Sequence, residues 1–178
     1  LITEGKNMTK SISHQVFSYH DYLTWPEGER WEIIDGVAYD MTPAPTPKHQ
    51  WILGNLHRII SNHLKSKKCT AFISPCDVVL SNIDVVQPDL FVVCDAQKIK
   101  EKHIQGAPDL IIEILSPPTS KKDRWEKRKL YEKYGVLEYW VVDPDEYLVE
   151  RYILGEGGTY PQSEIYGNQQ TINLKALP

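Results

Sequence analysis

The stretch GAPDLIIEILSP, residues 106–117, contains two acids: Asp109 precedes a run of strand-forming aliphatic residues, and Glu113 interrupts that run. Large apolar and β-branched residues favour extended backbone, and successive side chains of a strand point to opposite faces. Glu113 therefore shares its face with Ile111 and Leu115. Because an ionised carboxylate in such surroundings is costly unless a cation or strong donors accompany it, we expect a positive group beside Glu113.

The residues that follow this run predict a parallel crossover. Residues 116–135 begin with prolines and a Thr-Ser pair suited to a helix N-cap, and they end at Gly135, a typical helix stop. A second apolar run comes directly afterwards. The sequence thus predicts strand 109–116, helix 119–134 and strand 137–143, with the two strands parallel.

The rest of the chain also contains patterns that predict strands and patterns that predict helices. Asp35-Gly36 within residues 30–41 predicts a β-hairpin. Apolar residues at three- and four-residue spacing in residues 48–68 predict an amphipathic helix. Further strands are predicted at 70–81, 84–95 and 146–154. We therefore predict an α/β fold of the mixed α+β kind, in which a central mixed β-sheet is flanked by helices and preceded by an N-terminal hairpin.

Length and composition limit the class of protein. A chain of 178 residues with 41% hydrophobic and 25% charged residues suits one globular domain, expected over residues 16–178 after an N-terminal tail, residues 1–15. No apolar run is long enough to span a membrane, and no secretory signal is visible. The net charge of −4 argues against coating nucleic acid by overall charge, although bases concentrate at 64–68 and 121–129.

The cysteines bear on the compartment. Cys69, Cys76 and Cys94 are odd in number and lack CxxC spacing. This pattern favours free thiols in a reducing cytosol over a disulfide framework or a zinc site. We accordingly predict a cytoplasmic protein.

A second acid, Asp89, begins another apolar run in PDLFVV, residues 88–93. If these strands pair, Asp89 and Glu113 converge at one end of the sheet, where hard oxygen ligands suit Mg²⁺ or Mn²⁺. The alternative is that each acid caps a turn or pairs with a nearby lysine. Asp109 fits a strand entry better and is not a candidate ligand.

The predicted helix after Glu113 contributes one further candidate. Asp123, Lys127 and Tyr131 recur every four residues and line one helical stripe. Such a stripe is usually a solvated face with ion pairs. The more specific interpretation places Lys127 over the carboxylates, where its ammonium can stabilise an oxyanion or help to activate water.

Five blocks, in order, resemble the Uma family of restriction endonuclease-like proteins. They are WEIIDGVAYDMTPAPTPKHQ (31–50), QPDLFVV (87–93), GAPDLIIEILSPPT (106–119), the stripe 123, 127 and 131, and YGVLEYWVVDP (134–144). The likeness covers roughly residues 16–154. That family is similar to the PD-(D/E)XK nucleases, whose restriction-endonuclease-like fold has a central mixed sheet flanked by helices.

The resemblance implies a Mg²⁺- or Mn²⁺-dependent endonuclease that hydrolyses phosphodiester bonds in DNA. Residue by residue, it implies that Asp89 and Glu113 are the metal ligands. The lysine that the superfamily has two residues after the second acid is replaced by Leu115 in this chain. Lys127 is the expected substitute for it.

Two more residues match the family. Glu32 matches an early acid that related nucleases use as a further metal or water contact, and a solvent-facing hairpin residue is its alternative. His49 matches a histidine at the start of the long helix, where we expect a hydrogen bond to the backbone instead of a role in the site.

A different class of function stays open. The scaffold without catalysis would serve as a nucleic-acid- or protein-binding module, which the missing strand lysine and the acidic pI favour. A homodimer is a third alternative, favoured if strand 146–154 is an exposed edge.

Overall fold

The computed structural model describes residues 15–26, 28–41, 44–116 and 123–177. Within these ranges the chain forms α-helices α1 (Tyr19–Tyr22), α2 (Pro47–His63) and α3 (Arg128–Lys133), the last preceded by a π-helical turn, Asp123–Lys127. The strands are β1 (Trp31–Ile34), β2 (Val37–Asp40), β3 (Thr70–Ile73), β4 (Val78–Ser81), β5 (Asp84–Val86), β6 (Leu90–Val93), β7 (Ile104–Gln105), β8 (Leu110–Ile114), β9 (Glu138–Asp143), β10 (Leu148–Ile153) and β11 (Glu164–Gly167). The predicted mixed α/β class is confirmed.

The strands form two sheets, each of mixed direction. The first has the order β2-β1-β5-β4-β7, and the second has the order β11-β10-β9-β8-β6-β3. Strands β8 and β9 are parallel, with Glu113 beside Val141, so the predicted crossover is confirmed. The start of its predicted helix, residues 119–122, lies outside the described residues. The sequence predicted one central sheet, whereas the strands are divided between two.

The predicted hairpin is formed by β1 and β2. Asp35 and Gly36 have φ angles of 47° and 76°, and this pair of left-handed residues makes the turn whose twist matches that of the strands. Glycine is required at residue 36 because a Cβ there would overlap the Val16 side chain. The register that results places Glu32 opposite Tyr39 and inside the protein.

The second sheet is buried on both faces. Ile111 and Tyr139 pack towards α3 and the first sheet, whereas Ile112 and Trp140 pack towards α2. Tyr139 and Trp140 thus point to opposite faces, as predicted, and both are buried. Because side chains alternate, Glu113 lies on the Ile111 face, between this sheet and α3.

The cysteine prediction is wrong for two of the three residues. Cys69 and Cys94 form a disulfide, and Cys76 is free. The bond forms because the antiparallel register of β3 and β6, continued by one residue, places Cys69 opposite Cys94. Because two of the three cysteines form a disulfide, the cysteines do not support the prediction of a reducing compartment. None of the helices in the described ranges has the length and apolar composition needed to cross a membrane.

Strand β10, the partner of β9 predicted at 146–154, is an inner strand. It pairs with β9 on one side and with β11 on the other. A homodimer through an exposed edge at this strand is therefore not supported.

Asp84 joins the first sheet to the end of α3. Its Oδ1 accepts a hydrogen bond from the Asp35 N–H at 2.7 Å, and its Oδ2 accepts from the Tyr134 hydroxyl at 2.6 Å and the Lys133 ammonium at 3.2 Å. Burial raises the pKa of the Asp84 carboxyl, but the hydrogen bonds from Tyr134, Asp35 and Lys133 outweigh burial and hold that pKa below its usual range.

Asp84→Asn is therefore expected to lower the free energy of unfolding by about 2 kcal/mol near neutral pH, because hydrogen bonds to a charged acceptor are lost. A carboxyl whose pKa is lowered on folding stabilises the protein above its unfolded pKa of about 4, and this stabilisation is lost as pH falls through the folded pKa. Denaturant unfolding at about pH 7 and about pH 3 measures the effect. The gap between the two proteins should narrow in acid; a constant gap would contradict the assignment.

Candidate active site

Three of the predicted residues meet between the two sheets and α3. The Lys127 Nζ lies 2.8 Å from Glu32 Oε1 and 2.9 Å from Glu113 Oε1. Glu32 is 0% exposed, and Glu113 and Lys127 are each 3% exposed. The expectation of a positive group beside Glu113 is confirmed, and the group is Lys127. The solvent-facing alternative for Glu32 is wrong because β1 faces the second sheet there.

Lys127 reaches Glu113 from the π-helical turn that precedes α3. Turns of this kind are rare and are frequent at functional sites. One turn further on, the Tyr131 hydroxyl donates to Glu113 Oε1 at 2.7 Å. Burial, followed by the negative charge of Glu113, raises the Tyr131 pKa well above its usual value. Tyr131 therefore stays a donor, and Lys127 and Tyr131 hold the same oxygen. The side chain of Asp123 lies outside the described part of the chain.

Asp89 lies directly across from Glu113. The antiparallel register of β6 and β8 pairs Leu90 with Ile112, and continuing it by one residue aligns the two acids. The Asp89 N–H donates to Glu113 Oε2 at 3.3 Å, and the Ile114 N–H donates to Asp89 Oδ2 at 2.8 Å. The Asp89 side chain is 17% exposed and that of Glu113 is 4% exposed. Asp89 is therefore the acid of this pair that faces solvent.

His49 is a site residue that the sequence interpretation left out. Its Nε2 lies 3.0 Å from Asp89 Oδ2, so the expectation of a side-chain bond to the backbone is wrong. Thr46 caps α2 by accepting from the His49 N–H at 3.2 Å, and this cap fixes where the imidazole enters the site. The His49 position in the block 31–50 was the available indication. Asp109, by contrast, accepts from the Cys94 N–H at 2.7 Å, as expected of a strand-entry residue.

Gln87 is a second residue that the sequence did not indicate. Its backbone N–H donates to Glu32 Oε1 at 3.1 Å. Its side chain is held by hydrogen bonds with Tyr22, Arg30 and Asp77. Segment 87–89 therefore contacts both glutamates, since the Gln87 N–H binds Glu32 and the Asp89 N–H binds Glu113.

The donor set at this site fits a hard divalent cation in type and in charge. Glu32, Asp89 and Glu113 are carboxylates; Lys127 contacts the first and the third, and His49 contacts the second. Among the described residues, none donates a hydrogen bond to Asp89 Oδ1. Mg²⁺ prefers such oxygens and commonly keeps several waters beside one or two carboxylates.

The carboxylates do not form a complete cage. Within the described ranges, no three His, Cys, Asp or Glu side chains converge as a ready ligand set. A cation at Asp89 and Glu113 would therefore take its remaining ligands from water, backbone oxygens or a substrate phosphate.

Comparison with known proteins identifies the family. The model of the Uma2 family, described as "Putative restriction endonuclease", matches residues 19–178. The chain belongs to the Uma2 family. The matched region contains all four predicted site residues and His49.

Two relatives extend this result. An uncharacterized protein of Synechocystis sp. PCC 6803, slr1290, is 29% identical over 147 residues, which are 80% of this chain and 77% of that protein. The crystal structure of "a putative nuclease belonging to DUF820" from Anabaena variabilis has a TM-score of 0.74, with 23% identity over 90% of each chain. The Uma2 chain therefore shares its fold with that structure.

In this Uma2 chain the ammonium beside Glu113 comes from the π-helical turn Asp123–Lys127, and the residue two positions after Glu113 is Leu115. Leu115 is 8% exposed and belongs to the apolar cluster with Ile111 and Tyr131. The Lys127 ammonium reaches Glu113 from the π-helical turn that precedes α3. That Lys127 takes the role of a strand lysine stays a prediction.

Proposed function

We propose that this Uma2 protein is a Mg²⁺-dependent endonuclease that hydrolyses phosphodiester bonds in DNA. Membership of a family described as restriction endonucleases supports a nuclease acting on nucleic acid. The observation that carries the metal dependence is the alignment of two carboxylates, Asp89 and Glu113, on adjacent strands.

Asp89 and Glu113 are the residues proposed to hold the cation. A divalent ion held there would supply a Lewis acid for a phosphoryl oxygen and would lower the pKa of a water nucleophile. Asp89 is the solvent-facing member of the pair, so a phosphate would approach from its side.

The other residues fix the orientation of these two carboxylates. Lys127 and Tyr131 occupy Glu113 Oε1 and leave Oε2 directed to Asp89. His49 and the Ile114 N–H hold Asp89 Oδ2, which leaves Oδ1 for a ligand. Glu32 binds Lys127 from the other sheet and acts as the outer carboxylate. Such preorganisation avoids reorientation during the reaction.

Contacts to the nucleic-acid backbone are assigned to exposed lysines. Lys65, Lys67 and Lys68 are exposed just after α2, and α2 begins beside the site. A helix of 17 residues rises about 25 Å along its axis. That distance corresponds to about seven base pairs of duplex, so these lysines would contact DNA away from the scissile bond. Lys121 and Lys122 lie outside the described residues.

Supercoiled circular DNA tests the proposal. The wild-type protein is expected to nick or linearise the DNA with Mg²⁺ or Mn²⁺ and to leave it intact with EDTA, because water activation depends on the cation. The measurement is separation of the three DNA forms on a gel over time. Equal cleavage with EDTA would refute the metal dependence. Binding of duplex DNA without cleavage under any metal would instead indicate a binding module on the same scaffold.

A further inference from the structure

A cavity of about 380 Å³ opens at the carboxyl end of β9, between α2, the β9–β10 turn and the segment after β11. Three aromatic residues line it, Trp51, Tyr147 and Tyr166, and the first two are 73% and 67% exposed. The amide side chains of Asn168 and Gln170 also line it. A mainly apolar cavity of this size with a few polar groups has the composition of a small-ligand site.

This aromatic cavity lies next to the candidate active site. Val142 lines the cavity and is the strand partner of Ile114, whose N–H binds Asp89. Lys48 also lines it, and the next residue, His49, contacts Asp89. Asp89 precedes β6, which is two strands from β9 in the sheet order, a backbone separation of roughly 10 Å. A polymer held at Asp89 can place a neighbouring unit in the cavity across that distance.

The charges at the cavity favour a neutral ligand group. The Lys48 Nζ bonds Asp145 at 2.9 Å and lies 5.9 Å from the centre of the Tyr147 ring. Because Lys48 already has a carboxylate partner, this wall has no surplus positive charge to attract an anion. A neutral planar heterocycle can instead stack on the exposed rings of Trp51 and Tyr147. Gln170 Oε1 accepts from the Gly167 N–H at 2.6 Å, so its amide is fixed in place to meet the edge of such a ring.

The backbone conformation of Tyr147 is a second observation that points to a function for its ring. Tyr147 has a φ of 54°, a left-handed conformation that a bulky residue adopts at a cost and that glycine adopts freely. A residue held in such a conformation beside a cavity is typical of functional sites. The position suits glycine by conformation, yet it presents an exposed aromatic ring.

We propose that the aromatic cavity binds one unpaired nucleobase of the nucleic-acid substrate, stacked on Trp51 and Tyr147. The proposal rests on the proposed nuclease function, since the base belongs to the strand held at Asp89 and Glu113. Bases stack on aromatic side chains without regard to sequence, and a base in duplex DNA reaches such a cavity only after unpairing. The protein is therefore selective for substrates with an unpaired nucleotide.

Binding of a fluorescein-labelled single-stranded oligonucleotide tests this site. The measurement is fluorescence anisotropy in EDTA, which prevents metal-dependent cleavage. Trp51→Ala and Tyr147→Gly are each expected to weaken binding by about tenfold, the effect of losing one stacking partner. The matched control is Ile59→Ala, an exposed apolar residue on the same helix as Trp51; it should bind within twofold of wild type.

Two further readouts make the result specific. Tyr147→Gly should keep or raise the melting temperature, because glycine relieves the left-handed strain; its weaker binding is then not a folding defect. Binding to a blunt duplex should change less than binding to the single strand. Single-strand binding within twofold of wild type in both variants, or no binding by the wild type, overturns the proposal.

The outcome is separable from that of the nuclease proposal. Aromatic-dependent binding in a protein that cleaves no DNA would support the base site while refuting the nuclease. Metal-dependent cleavage with no effect of Trp51→Ala or Tyr147→Gly on binding would refute the base site alone.

Discussion

Asp89→Asn and Glu113→Gln are each expected to lower the rate of Mg²⁺-dependent DNA cleavage by about a hundredfold to a thousandfold. Each change replaces a proposed anionic ligand by a neutral amide of the same shape. The size of each side chain is kept, while the negative charge that holds the cation is lost. The measurement is the initial rate of nicking of circular DNA at saturating Mg²⁺.

The chain provides a matched control in Asp109→Asn. Asp109 precedes β8 as Asp89 precedes β6, and it accepts a hydrogen bond from the Cys94 N–H. Within the described part of the chain its side chain bonds the Cys94 N–H and none of the site residues, so this variant should retain cleavage. Full Mg²⁺-dependent cleavage by Asp89→Asn would show that the ligand assignment is wrong.

Metal binding gives a readout that does not depend on cleavage. A ligand that binds only the folded state raises the melting temperature. Mn²⁺ should therefore raise the melting temperature of the wild type and of Asp109→Asn. The shift should disappear in Asp89→Asn; if it persists there, the cation binds elsewhere.

Lys127→Met is expected to lower the free energy of unfolding by about 3–5 kcal/mol, because removal of one partner leaves a buried charge uncompensated. Lys127 is 3% exposed and is shared by Glu32 and Glu113. The loss of its ammonium leaves two carboxylates in the interior with one cation fewer. Urea unfolding measured by circular dichroism gives the difference.

Two variants separate this effect from the loss of a side chain. Lys129→Met removes an exposed lysine from α3, which begins directly after Lys127, and should change stability by less than about 0.5 kcal/mol. Glu32→Gln and Glu113→Gln combined with Lys127→Met should recover much of the loss, because no unpaired charge is then left. A small effect of Lys127→Met alone, below about 1 kcal/mol, would contradict a shared buried ammonium.

The elements that were predicted correctly depend on local sequence. Asp35-Gly36 specifies its turn through backbone conformation, and the crossover from β8 to β9 follows from three adjacent segments. The approach of Asp89 to Glu113 was also predicted, because each acid sits at one position of an apolar strand and the strands were expected to pair.

The features that were missed depend on contacts between distant segments. The disulfide of Cys69 and Cys94 needs the pairing of β3 with β6, and their spacing of 25 residues does not specify that pairing. The His49 contact with Asp89 depends on where α2 docks on the sheet. The division into two sheets depends on the pairing of β1 with β5, and apolar patterning alone does not determine that pairing.

The position of Lys127 between two sheets has a consequence for biosynthesis. Glu32 belongs to the first sheet, Glu113 to the second, and Lys127 follows both along the chain. A polypeptide still emerging from the ribosome would lack this ammonium, and the two glutamates would repel each other until it arrived. The two sheets can therefore pack together at this point without an unpaired buried charge only after residue 127 has been synthesised.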